Sequence, residues 1–414
     1  MDWITYKKDY VVWYHNVRTG AFYDVTKSIY DITITTTIDG SAGKMTCKIA
    51  NKDNIEIELG GTLSIDYGQW SGNNGTHVYL GFIFDKKYSD DDYTEEITCY
   101  DHLRYLKNTY TMSTENLVLE QVVYLLCCQF HIPIQIWNDT KGHILAPVQF
   151  DNETGTNIIQ HCINDVKVYT TERMILRDEF GQLMLLNIRS CGKNYHLKWN
   201  ESITHYNYET EIDSNTFNVV ELVYGKMNGT TYEVAHKVVS TDADGQMLYG
   251  WLKNTKVVDN WFDNIQQVIN ATEHLLDATK KATIKIDLEC VGVPELKAGD
   301  IIFITIPVGN NEKRTVNYIM NGQSIQLDTT QTDNNTIIPY RGEMTMMVLI
   351  NECTHKIQQG WTTTNMQVIP MDYELYHKEY KDKGYGAWYD EYAKEAAVKN
   401  EQRLENLSGL VRPI

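Results

Sequence analysis

Over the first hundred residues, apolar and polar positions alternate with a period of two. Ile32, Ile34 and Thr36 fall on one side of such a run, and Thr33, Thr35 and Thr37 on the other. Turn chemistry follows at Asp39-Gly40-Ser41-Ala42-Gly43, and a second run comes at Met45-Thr46-Cys47-Lys48-Ile49. Glu58-Leu59-Gly60-Gly61 marks another turn and feeds Thr62-Leu63-Ser64-Ile65-Asp66-Tyr67. Tyr79–Phe84 and Glu96–Tyr100 complete the set, with Asp90-Asp91-Asp92 between them as a solvated hairpin tip. Short strands at regular spacing, punctuated by Gly and Asp, predict a barrel or sandwich over residues 1–110.

From about residue 113 the period becomes helical. Val118, Val122, Leu125, Leu126 and Gln129 share a face, with Ser113 as N-cap and His131-Ile132-Pro133 as the stop. A second stripe holds Ile158, Ile159, Cys162, Ile163 and Val166. Met174–Leu176 and Leu183–Leu186 then flank the turn Asp178-Glu179-Phe180-Gly181, and the whole predicts a small α/β domain over 111–205. Strand patterns resume at Val219–Gly225 and Tyr232–Ala235. A long helix follows, presenting Trp261, Ile265, Val268, Ile269, Thr272, Leu275, Leu276 and Thr279. After it, Ile284, Ile286, Leu288 and Cys290 alternate with Lys285, Asp287 and Glu289.

A short internal repeat emerges from these runs. Cys47-Lys48-Ile49 leads to Leu59–Ile65, and Ile286-Asp287-Leu288 leads to Leu296–Ile304, each as strand, Leu-x-x-Gly turn and strand. Met347–Asn351 and Thr363–Val368 would form the closing hairpin of the second half. The expected architecture is mainly β with an α/β insertion. It has two related β-barrel domains, 1–110 and 206–370, the second with a long helix. The small α/β domain lies between them, and a helical C-terminal tail spans 371–414.

Composition narrows the function classes. A hydrophobic fraction of 42% and a charged fraction of 22% exclude long disorder, and 28 tyrosines against 7 prolines favour strands. A formal charge of −18 opposes any face that must neutralise phosphates, so no specific nucleic-acid binding is expected. Without a run of about 18 apolar residues, no membrane insertion is expected, and MDWITYKKDYVVWY lacks the pattern of a secretory signal. The eight scattered cysteines form no CxxC pair and read as reduced thiols.

The chain contains no GxSxG, GxxxxGK[ST], strand–GxGxxG–helix or HExxH arrangement, so no catalytic residue, cofactor or metal is expected. Its twelve histidines are dispersed, and His102, His161 and His355 read as structural. Asp242-Ala243-Asp244-Gly245 lacks the later carboxylates of a calcium loop and reads as a polar turn. In the tail, Tyr376, Tyr380, Trp388, Tyr389 and Tyr392 precede a helical stretch with Ala393, Ala396, Leu404, Leu407 and Val411. Trp388, Tyr389, Tyr392, Leu404 and Leu407 are the candidates for partner docking, because exposed aromatics favour interfaces. Packing of the tail onto its own body is the alternative.

One further arrangement carries a family resemblance. Tyr224-Gly225, the long helix, the alternating strand, Leu296-Lys297-Ala298-Gly299-Asp300 and Asn351-Glu352-Cys353-Thr354-His355…Gly360-Trp361-Thr362-Thr363 occur in that order. The set resembles the hub proteins of PBSX-type prophages, which belong with the late control gene D proteins and the T-even baseplate hub. Gly81–Phe84 and Thr98–Lys107 look like the matching segment of the first half, and the resemblance covers most of 22–370. It implies a baseplate hub of a contractile tail or tailocin. Such a homotrimer carries two related barrels per chain and adapts a sixfold tail tube to a threefold central spike. Implied partners are the spike, the tube or its initiator, and other baseplate proteins. Assembly would occur in the bacterial cytoplasm, and residence would be in the particle's baseplate. The family marks Gly299-Asp300 as fold, with Gly supplying the positive φ and Asp the cap. Two other classes remain open: a tail-associated cell-wall-degrading enzyme, and a module that binds host polysaccharide.

Overall fold

A computed structural model of the chain describes residues 10–50, 55–67, 76–89, 94–136, 142–170, 172–228, 231–259, 265–308, 315–320, 323–328, 342–358 and 361–371. The tail aromatics and leucines Trp388, Tyr389, Tyr392, Leu404 and Leu407, the Asp90–Asp92 tip and Trp261 lie outside the described residues. The chain forms two compact units, one of residues 1–193, 205–301 and 349–370, the other built around 194–204 and 302–348.

In the first unit the alternation found in the sequence becomes an antiparallel series. From Ile29–Thr37 it passes through Lys44–Ile49, Thr94–Tyr100, Thr76–Ser89 and Thr62–Tyr67 to Tyr10–Asn16, with the short Ala21–Asp24 strand at the edge. One pleat face buries Ile32, Ile34, Met45, Cys47, Leu63, Ile65, Ile83, Ile97 and Cys99 around Tyr14. A second series runs from Ile203–Glu211 through Thr283–Val291 and Trp361–Pro370 to Gly342–Gln358. Within the smaller unit, Ile301–Val308 pairs with Gly192–Lys198 on one side and Gly342–Gln358 on the other. There His196 Nε2 lies 2.7 Å from Thr305 Oγ1, and Thr315–Met320 forms a hairpin with Gln323–Asp328.

The same strand order thus occurs twice, in the same chain order, and the turns correspond bond for bond. Gly60 N donates to Ile83 O at 2.9 Å and Ile83 N to Gly61 O at 2.8 Å. Gly299 N likewise donates to Ile350 O at 2.8 Å and Ile350 N to Asp300 O at 2.9 Å. Both glycines sit in the left-handed region, at φ +83° and +89°, which other residues enter at a cost. The repeat is shifted from the one expected. Leu296 matches Ile57 and not Leu59, because Ile57 and Leu296 are buried while Leu59 is 64% exposed.

The expectation of two related β-barrel domains requires correction, since no closed barrel occurs among the described residues. Ile29–Thr37 would have to close the first barrel. It pairs instead with Glu352–Ile357 of the second series, from Glu352↔Thr37 to Ile357↔Ile32. The strands therefore form one open run, with Ala21–Asp24 at one end and Ile203–Glu211 at the other.

Two insertions decorate this run. Helices Leu119–Gln129 and Gly155–Thr170 pack with Met174–Asp178 and Leu183–Asn187, burying Val122, Leu126, Ile158, Cys162 and Val166 as their spacing predicted, while Leu125 and Gln129, expected on the same face, are exposed. Ser113 is not the N-cap, because it ends strand Thr109–Ser113. The helix starts after Val118, whose N–H donates to Gln121 Oε1 at 3.1 Å. The other insertion is a three-stranded sheet of Thr231–Thr241, Val219–Asn228 and Lys253–Asp259, with helix Ile265–Thr279 packing Val268 and Ala271 on Leu222. Asp242 is not in a mere polar turn. Its carboxylate accepts from Gly245 N at 3.2 Å and caps helix Ala243–Tyr249.

The two matched glycines should respond differently to substitution. A Cβ at Gly299 would lie 2.5 Å from Ile175 Cδ1, whereas one at Gly60 meets nothing within 4 Å. Gly60→Ala should cost about 1 kcal/mol of backbone strain, and Gly299→Ala distinctly more, about 2–4 kcal/mol. Equal losses in chemical denaturation would show that the close approach at Gly299 contributes nothing.

Candidate functional site

The pairing that joins the two series places opposite residues on one face. Thr33, Thr35 and Thr37 stand beside Lys356, Thr354 and Glu352, and Thr35 Oγ1 lies 3.0 Å from Thr354 Oγ1. Two strands further on, Asp287 faces Gln367 and Glu289 faces Asn365. Asp287, Glu289, Asn365 and Gln367, with His205, Glu352 and Thr354, line an open concavity of about 350 Å³ that has no Lys or Arg in its wall, Lys356 lying outside it. The result is a hydroxyl-rich, acidic sheet face. It can hold water well and has little affinity for a polyanion.

Behind this face lies a cluster of part-buried charges around a buried carboxylate, Asp300. Arg177 reaches Asp300 at 2.8 Å and Glu179 at 2.6 Å, and Lys297 Nζ meets Glu179 at 2.9 Å. Asp300, fully buried, also accepts from Lys297 N at 3.0 Å, and Ala298 N donates to Thr36 Oγ1 at 3.1 Å. One turn thereby ties the α/β strand Met174–Asp178 to the joining strand. Burial opposes charge on Arg177, but Asp300 and Glu179 outweigh it and hold the guanidinium above its ordinary value. Burial also opposes charge on Glu179, yet Arg177 and Lys297 bring its carboxyl below the usual range.

The expected structural histidines find partners. His102 Nδ1 lies 2.9 Å from Asp178 Oδ2, and its ring meets Phe82 edge-on. Phe150 packs edge-on against His161. His355 lies wholly inside the second half, with Nε2 2.7 Å from Leu296 O and Nδ1 3.0 Å from Thr364 Oγ1. A carbonyl can only accept, so Nε2 carries the proton and Nδ1 accepts from the threonine. Burial pushes this imidazole down to about 4. Free thiols at Cys47, Cys99, Cys127, Cys162, Cys191, Cys290 and Cys353 are buried, and Cys128 is exposed. Among the described residues no group of three or more His, Cys, Asp or Glu could hold a metal, and no helix is long and apolar enough to cross a membrane.

Two strand edges complete the surface. Thr76–Ser89 pairs with Thr62–Tyr67 only as far as Phe82. Beyond Ile83 it keeps a partner on one side, in Thr94–Thr98, while residues 84–88 are exposed. Ile203–Glu211 pairs with Thr283–Val291 and ends the run on its other side among the described residues. Neither edge was singled out in the sequence, because alternation shows faces and not which strands meet.

The YQBQ-like family matches residues 32–321. The chain is 27% identical over 243 residues to the Bacillus subtilis (strain 168) phage-like element PBSX protein XkdQ, covering 58% of this chain and 71% of that protein. It is 25% identical over 240 residues to YqbQ of the same strain, an uncharacterized protein, covering 56% and 69%. The 43 kDa tail protein of prophage MuSo2 from Shewanella oneidensis matches the fold with a TM-score of 0.59 at 14% identity, over 87% of this chain and 98% of that one. A tail protein from Neisseria meningitidis MC58 matches with a TM-score of 0.56 at 12% identity, over 88% and 97%.

Two variants test the buried groups. Arg177→Met should cost about 3–5 kcal/mol by stranding the Asp300 carboxylate, and adding Asp300→Asn should recover part of that loss in a double-mutant cycle. Strict additivity would count against the pair. For His355 the folded value lies below the unfolded one of about 6.5, so its contribution is complete above pH 6.5 and is lost as the pH falls towards 4. His355→Leu should lower stability at pH 7 by about 1–3 kcal/mol and flatten the decline across that window. Parallel pH curves for the wild type and the variant would rule this out.

Proposed function

The chain belongs to the YQBQ-like family, and from that premise we propose that it is a structural, non-catalytic hub of a phage-type tail. In this proposal three copies form a ring in the baseplate of a contractile tail or tail-like particle. The ring joins a sixfold tube to a threefold spike. The carrying observation is the strand order that occurs twice in one chain, with its matched Gly60–Ile83 and Gly299–Ile350 bonds. Three chains, each with two similar halves, present six similar surfaces on one side while keeping a threefold axis. The similarity to XkdQ, a protein of a phage-like element, and to the Shewanella and Neisseria tail proteins points the same way.

The proposed domains are 1–110 and 206–370, with the α/β segment 111–205 between them and the tail 371–414 beyond, although strand Gly192–Lys198 of that segment pairs with Ile301–Val308 of the second half. The acidic, threonine-rich face suits the wall of a channel. Hydroxyls keep such a wall hydrated, and Asp287, Glu289 and Glu352 repel a passing phosphate backbone. The ring would use no cofactor. The tail residues Trp388, Tyr389, Tyr392, Leu404 and Leu407 would dock a neighbouring baseplate protein. Assembly would take place in the bacterial cytoplasm.

Light scattering on the purified protein, alone and with its neighbouring spike protein, tests the proposal. A mass of three chains in either condition is expected, with no release of fragments from purified cell wall. A single-chain mass in both conditions, or cell-wall hydrolysis, would overturn it.

A further inference from the structure

Inside one chain, the two halves are joined by the outermost strand of the first, Ile29–Thr37, pairing with the Gly342–Gln358 strand of the second. That strand is used in two stretches. The bracket of bonds at Ile350 ends its contact with the Gly299-Asp300 turn, and Glu352–Ile357 then continues onward to receive Ile32–Thr37. The first half contains the counterpart of each piece. Ile83 is bracketed by Gly60 and Gly61 as Ile350 is by Gly299 and Asp300, and Phe84–Ser89 continues past it. Ile203–Glu211 holds the position in the second series that Ile29–Thr37 holds in the first, next to the strand that precedes the turn.

The junction that is filled once within the chain therefore has a second, unfilled version. Its two sides lie on edges that have no strand partner among the described residues: Asp85–Ser89 and Asn207–Glu211. An edge of this kind is a template for another strand. Contact between copies, like the ring itself, rests on the proposed hub. We infer that adjacent copies of this chain join by strand addition, Asp85–Ser89 of one copy pairing with Asn207–Glu211 of the next.

Charge favours that match. The first edge presents Lys87, 69% exposed and 3.6 Å from Asp85, next to Lys86, whose Nζ donates to Ile57 O at 2.8 Å. The second presents Glu209 and Glu211, with Glu211 held by Lys285 at 2.7 Å. Two copies meeting through their lysine edges, or through their glutamate edges, would bring like charges together, so lysine edge to glutamate edge is favoured. The interface is heterologous, and each copy offers one edge of each kind. Repetition of the operation that already relates the two halves of a chain would close the assembly into a ring.

Cross-linking reads the contact directly. In a Cys128→Ser background, where the remaining thiols are buried, Lys87→Cys and Glu209→Cys together should give covalent dimers and trimers on mild oxidation. Neither single variant should do so. Separately, Lys87→Glu and Glu209→Lys should each weaken self-association about tenfold at low salt, and the double exchange should restore it, with unfolding temperatures unchanged. Wild-type trimers with no cross-link and no response to charge reversal would overturn the strand pairing and leave the hub standing. Wild-type protein that stays a single chain with and without the spike protein would overturn both.

Discussion

The antiparallel pairing of Ile32–Thr37 with Glu352–Ile357 determines what the other strands can do. It unites two runs of strands through partners that lie more than 300 residues apart in sequence, and its register is set from both sides. Ile32, Ile34, Cys353, His355 and Ile357 are buried, while Thr33, Thr35, Glu352 and Lys356 face outward. A slip of one residue would send three isoleucines into water and draw a lysine and a glutamate inside. With Ile29–Thr37 committed in this way, the first run cannot close on itself. The open edges, and any assembly that uses them, follow from that commitment.

Within the matched turns, the two halves differ at one bonded position. Gly61 and Asp300 occupy matched positions, bonded to Ile83 and Ile350 respectively. At Gly61 a Cβ would lie 2.7 Å from Tyr14 Cε2, so the first half has no room there for a side chain. At Asp300 the second half has room, and it places a buried carboxylate against Arg177. Buried ion pairs are weak sources of stability, because desolvation consumes much of the attraction. Their gain is directional. Arg177 contributes two ends of a planar fork, one to Asp300 and one to Glu179, and so fixes how Met174–Asp178 meets the turn. The difference between the matched turns thus lies where the α/β insertion attaches.

Alternation made individual strands legible, since a half-buried strand writes its two faces directly into the sequence. The pattern of Ile286, Leu288 and Cys290 against Asp287 and Glu289 survives intact as buried and exposed positions. Helical stripes such as Ile158, Ile159, Cys162 and Val166 were equally plain. Strand partners were not, because pairing is a long-range choice that no local period records. Two β-barrel domains were therefore expected where an open run occurs. The repeat was visible but misaligned by its own leucine: Leu59 matches by letter, whereas Ile57 matches by burial. Arg177 carried no signal at all. A lone arginine in a short apolar strand resembles a solvated edge until its partner, over a hundred residues away, is placed beside it.

In the proposed hub, the distribution of charge would divide a face that must not stick from edges that must. An acidic, hydroxyl-rich wall gains nothing from a passing anion, and the concavity holding Asp287, Glu289 and Glu352 has no Lys or Arg in its lining to offset them. Lys86 and Lys87 sit instead on a strand edge, where a positive charge discourages pairing with a like edge and permits pairing with an acidic one. A chain of net charge −18 would otherwise repel its own copies at every approach. Placing exposed cations at one edge, and carboxylates at the other, gives the approach a polarity. Head-to-tail association can then proceed, while random association remains opposed by the charge that keeps the face clean.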